Sequence, residues 1–166
     1  VTKIGSHAFY SCDKLASITI PNSVTEINDY TFSCCDNLVN ISIPNNVTKI
    51  GDYAFDGCTS LTDMTIPDSV TEIGFRAFNE CSNLTSVTIG NSVTFIGYYA
   101  FSNCSSLENV YIFDLEAWCN IEFESSANPL SNGANLYLNG NLVKDLVIPD
   151  SVSEIRGAFS GCSSLE

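Results

Sequence analysis

The sequence predicts a right-handed solenoid, rich in β-structure, with a parallel sheet on one face and short extended pieces and single helical turns on the other. Two observations lead there. Val1, Val24, Val47, Val70 and Val93 open five consecutive units at a constant spacing of 23 residues, and self-similarity at such a period marks a stacked array. Within the units the large apolar residues keep their columns: Ile4, Ile27, Ile50, Ile73 and Ile96 in one, Phe9, Phe32, Phe55, Phe78 and Phe101 in another, Leu15, Leu38, Leu61, Leu84 and Leu107 in a third. One unit cannot bury these side chains alone. Stacked neighbours can, so stability becomes a sum over adjacent rungs.

Each element follows from the third unit, VTKIGDYAFDGCTSLTDMTIPDS. Its opening, Val70 to Gly74 in the next unit, reads as a short extended piece. Gly5, Gly51, Gly74 and Gly97 close that piece, with Asn28 as the one substitute; Asn is the residue that best tolerates a left-handed backbone after Gly. The following A-F-x-x-C, such as Ala77-Phe78 to Cys81, has a spacing of three that suits a single helical turn. Met64 and Ile66 flank Thr65 with the period of a strand buried on one face. One such strand is expected from each unit. Pro21, Pro44 and Pro67 end the strands because proline donates nothing to a ladder, and Gly90 and Phe113 take that place later. Ser23, Asn46, Ser69 and Ser92 form the next column, where a short polar side chain can bond otherwise unpaired backbone groups of the turn.

The regularity breaks after Leu115. Val152 restarts the pattern 59 residues after Val93, where two units would take 46, so 13 residues are extra. Asn139-Gly140, between Leu136-Tyr-Leu138 and Asn141-Leu-Val143, is the dipeptide favoured in two-residue hairpin turns. Trp118, Leu136 and Leu138 are expected to pack on the repeat core, since so short a hairpin is marginal alone. The organisation is therefore one domain over residues 1–166, with five repeats in 1–115, an irregular insert with a hairpin in 116–144, and partial repeats in 145–166. Val1 opens on a repeat and Glu166 stops inside one, so the chain reads as a piece of something longer.

The unit V-T-x-I-G-x-x-A-F-x-x-C-x-x-L-x-x-I-T-I-P closely resembles the BspA-like leucine-rich repeats, over Val1 to Leu115 and again over Asp145 to Glu166. The interruption LEAWCNIEF…LYLNGNLVKDLVIPDSV also looks like an insert that recurs in these arrays. The resemblance implies a leucine-rich repeat solenoid from a cell-surface or secreted protein of host-associated microbes. It further implies adhesion to proteins of a host or a neighbouring cell.

No residue pattern supports catalysis. A triad needs His beside a nucleophile, and His7, the one imidazole, shares a variable column with Tyr30, Tyr53, Arg76 and Tyr99. Six of the eight cysteines, Cys12, Cys35, Cys58, Cys81, Cys104 and Cys162, occupy one column. Side chains stacked in parallel make poor disulfide geometry, and neither their spacing nor a lone His builds a zinc site. They read as buried free thiols. Cys34 and Cys119 lie outside that column, and Cys34 is a candidate exposed thiol. The column pairs Asp29 with Asp52 and Asp13 with Asp36 read as a solvated acidic edge, with weak calcium binding as the alternative. No cofactor is expected.

Two surfaces are candidates for binding a partner. One is the polar strand face, with Ser17, Asn40, Asp63, Ser86 and Asn109 in one column and Thr19, Ser42, Thr65, Thr88 and Tyr111 in the next. The other is an aromatic edge of Tyr30, Tyr53, Phe75, Tyr98 and Tyr99, since exposed aromatics are enriched at interfaces. Nineteen acidic against six basic residues give a net charge of −13, which repels phosphate backbones and anionic lipid. No apolar run is long enough for membrane insertion. A protein partner is the first expectation, a glycan stacked on the tyrosines the second, and a passive stalk the third.

Overall fold

The computed structural model describes residues 1–166, wound as a stack of rungs. In chain order the strands are β1 (Ser17–Thr19), β2 (Glu26–Ile27), β3 (Asn40–Ser42), β4 (Lys49–Ile50), β5 (Asp63–Thr65), β6 (Glu72–Ile73), β7 (Ser86–Thr88), β8 (Phe95–Ile96) and β9 (Asn109–Ile112). Then follow a short helix α1 (Leu115–Cys119), β10 (Glu122–Phe123), a 3-10 turn (Pro129–Asn132), β11 (Asn135–Leu138) and β12 (Asn141–Leu142). Every regular unit thus contributes a three- or four-residue strand and, from the second unit onward, a two-residue one on a second face. The two-residue strands make a continuous parallel sheet, β2-β4-β6-β8-β10.

The strand face departs from the expectation of one ladder. It is divided into β1-β3 and β5-β7-β9-β11-β12, with no pairing between β3 and β5. The break falls between Ile41 and Met64 of one inward column, and Met64 itself pairs onward with Val87. The second face stays paired across the same two rungs, Lys49 opposite Glu72 and Ile50 opposite Ile73.

The third side carries the A-F-x-x-C segments as overlapping single turns. Cys58 N–H bonds to the Phe55 carbonyl three residues back, while Phe55 N–H bonds across to Ala77 of the next rung at 2.7 Å. Amides therefore alternate between closing a turn and joining rungs. What keeps each turn single is a left-handed residue before the Ala and another before the Cys. His7, Tyr30, Tyr53, Arg76 and Tyr99 have φ between 51° and 60°, and Ser11, Cys34, Gly57, Glu80 and Asn103 between 52° and 70°. A right-handed helix cannot propagate through such residues.

The glycine column has a different cause from the one its composition suggests. Gly51, Gly74 and Gly97 are absent from the left-handed positions. Instead, a Cβ on Gly74 would lie 2.5 Å from Asp52 Oδ1 and 2.7 Å from both Asp52 N and Gly51 C. Close approach of consecutive rungs excludes a side chain there. Asn28 turns its own to use, donating from Nδ2 to the Ile4 carbonyl at 2.6 Å. In the Ser/Asn column Ser23, Asn46 and Ser69 each donate to a carbonyl of the preceding rung at 2.6 Å, as expected, whereas Ser92 makes no such bond.

The core runs the length of the stack. Phe32, Phe55, Phe78 and Phe101 are buried and stack ring on ring, with centroids 5.1–5.3 Å apart. Val, Ile and Leu columns fill the space around them.

Residues 116–144, read from sequence as an insert, contribute a further rung. β10 pairs with β8, and β11 pairs with β9 through Asn135↔Asn109 and Tyr137↔Tyr111. That register is 26 residues, three more than a regular unit, so most of the extra length lies beyond β11. Asp114 caps α1, accepting from Ala117 N at 3.0 Å, and Asn139 and Gly140 turn the β11–β12 hairpin with φ of 51° and 79°. Trp118 and Leu136 are buried, and Leu138 packs against the core half-buried. Beyond β12, residues 143–166 form no strand. Their A-F segment docks on the rung before it: Trp118 Nε1 and Asn128 Nδ2 both donate to the Ala158 carbonyl at 2.9 Å.

Candidate binding surfaces

The strand-face columns come together in register. Ser17 pairs with Asn40 and Thr19 with Ser42; after the break, Asp63, Ser86 and Asn109 align, as do Thr65, Thr88 and Tyr111. Ser17, Thr19, Asn40, Ser42, Asp63 and Thr65 are exposed, and Ser86, Thr88, Asn109 and Tyr111 are half-buried. One cross-strand bond is made within the set, from Ser86 Oγ to Asp63 Oδ1 at 2.6 Å. The columns continue onto β11, where Asn135 and Tyr137 occupy the next positions and the Tyr111 and Tyr137 rings lie 4.9 Å apart. Sequence reasoning placed Leu136 and Leu138 inward; the same alternation placed Asn135 and Tyr137 outward, and that consequence was missed.

The aromatic edge is a stack consumed by its own members. Tyr30 lies on Tyr53 at 4.5 Å and on His7 at 4.7 Å, so both faces of its ring are covered. Tyr53 meets Phe75 edge-on at 5.1 Å, and Phe75 meets Tyr99 edge-on at 6.3 Å. Arg76 completes the group, its guanidinium 5.4–6.0 Å from the Tyr53, Phe75 and Tyr99 rings. Its Nε is buried without a hydrogen-bond partner, so the ring faces offset the lost hydration there. Tyr98 and Tyr99 remain 46% and 41% exposed. The Glu124 carboxylate beside Tyr98 raises its phenol above the ordinary range.

One signal for this geometry was present in the sequence. Neither left-handed column contains Val, Ile or Thr, the residues for which a positive φ is most costly. Tyr30, Tyr53 and Tyr99 of the edge stand on such a backbone.

The remaining reactive groups are occupied by the stack. All eight cysteines are free. Cys35, Cys58, Cys81 and Cys104 donate to the Phe9, Phe32, Phe55 and Phe78 carbonyls at 3.0–3.2 Å, away from one another. Burial pushes Cys35 up to about 11 and Cys104 up to about 12, and raises Cys58 and Cys81 well above the ordinary thiol range. Such thiols stay protonated and unreactive. Cys34 is half-buried. The Asp29 carboxylate accepts from Asp52 N at 2.9 Å and the Asp52 carboxylate from Phe75 N at 2.8 Å. They cap the backbone of the next rung, and no three of the His, Cys, Asp and Glu side chains converge to hold a metal ion.

Two depressions adjoin the strand face or the hairpin. One, about 430 Å³, lies at the turn end of the strand face, lined among others by Thr65, Pro67, Asp68, Thr88, Gly90 and Phe113. The other, about 630 Å³, lies between α1 and the hairpin and includes Leu115, Leu138, Leu142 and Val147.

Comparison with known proteins bears on the whole array. The model of the BspA type leucine rich repeat region matches residues 2–129, in six copies. A T. pallidum leucine rich repeat protein is 29% identical at a TM-score of 0.68, over 100% of this chain and 72% of that one. A leucine rich cell surface protein from Faecalibacterium prausnitzii is 37% identical at 0.70, over 76% of this chain and 33% of that one. A leucine-rich repeat protein from Bacteroides ovatus is 34% identical at 0.64, over 100% of this chain and 46% of that one. The chain thus spans less than half the length of the last two. No curated relative matches it.

Proposed function

The chain belongs to the BspA type leucine-rich repeat family, and from that premise we propose that it is a non-catalytic module that binds a protein partner through its strand face. The observation that carries this reading is the contrast between the two surfaces. Ser17, Thr19, Asn40 and Ser42 pair in register, and they and Thr65 are exposed and not engaged in side-chain hydrogen bonds. Tyr30, Tyr53, Phe75 and Tyr99 have their rings packed on one another. A glycan stacking on the edge would need free ring faces, and Tyr30 has none.

Each strand-face contact is small, and affinity would accumulate over many rungs as in multivalent binding. A location at the cell surface or in the secreted fraction is part of the proposal, in keeping with the cell surface relative from F. prausnitzii. No helix of the chain is long and apolar enough to cross a membrane.

The test uses an array of secreted and surface proteins beside a glycan array, then two variants on whichever ligand binds. Asn40→Lys with Asn109→Lys alters the strand face at separate rungs. Tyr98→Ser with Tyr99→Ser alters the exposed end of the aromatic edge. The proposal expects a protein ligand and loss of binding in the first variant alone. A glycan ligand, or loss in the second variant alone, overturns it; binding on neither array leaves the stalk reading.

A further inference from the structure

We propose that the depression lined by Thr65, Pro67, Asp68, Thr88, Gly90 and Phe113 receives a lysine or arginine side chain of the protein partner. This rests on the strand-face reading and names the chemistry of what that face takes.

The site exists because the repeat breaks its own pattern. Pro21, Pro44 and Pro67 end three successive strands, but the column continues with Gly90 and then Phe113. Gly90 is required by backbone approach: a Cβ there would lie 2.6 Å from the Pro67 carbonyl carbon and oxygen. The two rungs therefore sit close at Gly90, and the depression opens beside it between Pro67 and Phe113, two rungs apart, which at the usual strand spacing is roughly 10 Å. That is wide enough for an alkyl chain with a cationic head.

The lining matches such a guest. Phe113 is 54% exposed, although its neighbour Ile112 is buried, and an exposed aromatic ring attracts a cation. The Asp68 carboxylate is held by one oxygen, Oδ1, which accepts from Asn91 N at 2.7 Å. No Lys or Arg pairs with it, the ion pairs being Lys49–Glu72, Lys144–Glu166 and Arg156–Glu154. The Thr65 and Thr88 hydroxyls make no hydrogen bond within the chain and are open to a guest.

Charge decides between a cationic guest and a neutral sugar. From Leu15 to Asp114 the strands of this face and the turns that follow them hold Asp63, Asp68 and Asp114 and no basic residue. In a chain of net charge −13, that field draws in a cation and leaves an uncharged sugar unaffected. The opposite edge shows the same pairing satisfied internally, with Arg76 among three rings.

The probes are acetyl-tetralysine amide, its tetraglutamine counterpart and maltotetraose, each titrated into the isotope-labelled chain while backbone amide shifts are followed. Tetralysine should move Asp68, Gly90 and Asn91 saturably, and the affinity should fall when salt rises from about 0.02 to about 0.3 M. Asp68→Asn keeps the acceptor for Asn91 N but removes the charge; it and Phe113→Ala should each weaken binding roughly threefold or more. Asp13→Asn, an exposed carboxylate elsewhere, should not. Equal binding of tetraglutamine, movement of Gly90 by maltotetraose alone, or no effect of Asp68→Asn overturns the inference. If tetralysine misses this site while Asn40→Lys with Asn109→Lys still abolishes binding of a protein partner, this inference fails and the strand-face reading survives.

Discussion

The Cys58 thiol donates to the carbonyl oxygen of Phe32, 26 residues earlier, across 3.1 Å. The same carbonyl accepts the Cys35 amide of its own rung at 3.2 Å, so one oxygen ties a turn shut and fastens the next rung to it. Cys35, Cys81 and Cys104 repeat the arrangement. A cysteine fits the column because its thiol is small enough for the core and still donates.

Thiol reactivity should separate the column from its ends. Cys12, Cys34 and Cys162 are partly accessible and the other five are buried. Titration of the native chain with a thiol reagent at neutral pH should show three fast-reacting groups, with the rest appearing on denaturation. Rapid reaction of all eight would refute the burial of the column.

Alkaline pH should destabilise the fold through these thiols. The folded pKa values of Cys35 and Cys104, about 11 and about 12, exceed the unfolded value of 9.0, and Cys58 and Cys81 are raised in the same sense. Above pH 9 the unfolded state therefore binds fewer protons than the native state, and stability falls as pH rises towards the folded values. Each thiol contributes a slope of about 1.4 kcal/mol per pH unit within that window. Urea unfolding at about pH 8 and about pH 10 measures the fall. The double variant Cys58→Ala, Cys81→Ala should fall less steeply; an identical slope would assign the effect to other groups.

Substitution at the glycine column should depend on whether another rung lies beneath. Gly74→Ala places a Cβ against Asp52 and Gly51 backbone, whereas Gly5 has nothing within 4 Å. The first should cost about 1–3 kcal/mol, as overpacking does, and the second should be close to neutral. Denaturant midpoints of the two variants decide, and equal values would remove close approach as the cause.

The left-handed columns carry avoidable strain. Glu80 is exposed with φ 59°. Glu80→Gly should stabilise by about 0.5–1 kcal/mol, since relief of the side-chain clash outweighs the added freedom of the unfolded chain. Glu80→Val should destabilise. Thermal midpoints that move in the reverse order would contradict the backbone assignment.

Trp118 should hold the last A-F segment in place. It is buried, with its ring 5.1 Å from that of Phe123 and its Nε1 bonded to Ala158. Trp118→Ala should cost about 3–5 kcal/mol. It should also speed hydrogen exchange at Ser163, whose amide bonds to Ala134. Exchange at Phe55, several rungs away, should change little, because contacts pass only between neighbours. Loss of protection at both sites alike would show the array unfolding as a single unit.

The repeating columns by themselves determined the architecture of this protein. Val24 to Val93, the Phe column and the Leu column recur at one spacing, and only stacking buries them. The Asn139-Gly140 turn was equally legible, because its chemistry is local. Tertiary structure decided the rest. Gly74 looks like a conformational glycine until Asp52 is seen against it, and composition cannot distinguish a strained backbone from a close approach. The left-handed turn of Tyr30 was hidden because aromatics rarely signal a positive φ; the signal lay in which residues the column excludes. The ladder break between Ile41 and Met64, the pairing of Asn135 with Asn109 and the depression beside Gly90 all depend on one rung lying on another. A 26-residue register can replace a 23-residue one wherever the strands still meet, since hydrogen bonds between rungs respond to distance in space and not to spacing along the chain.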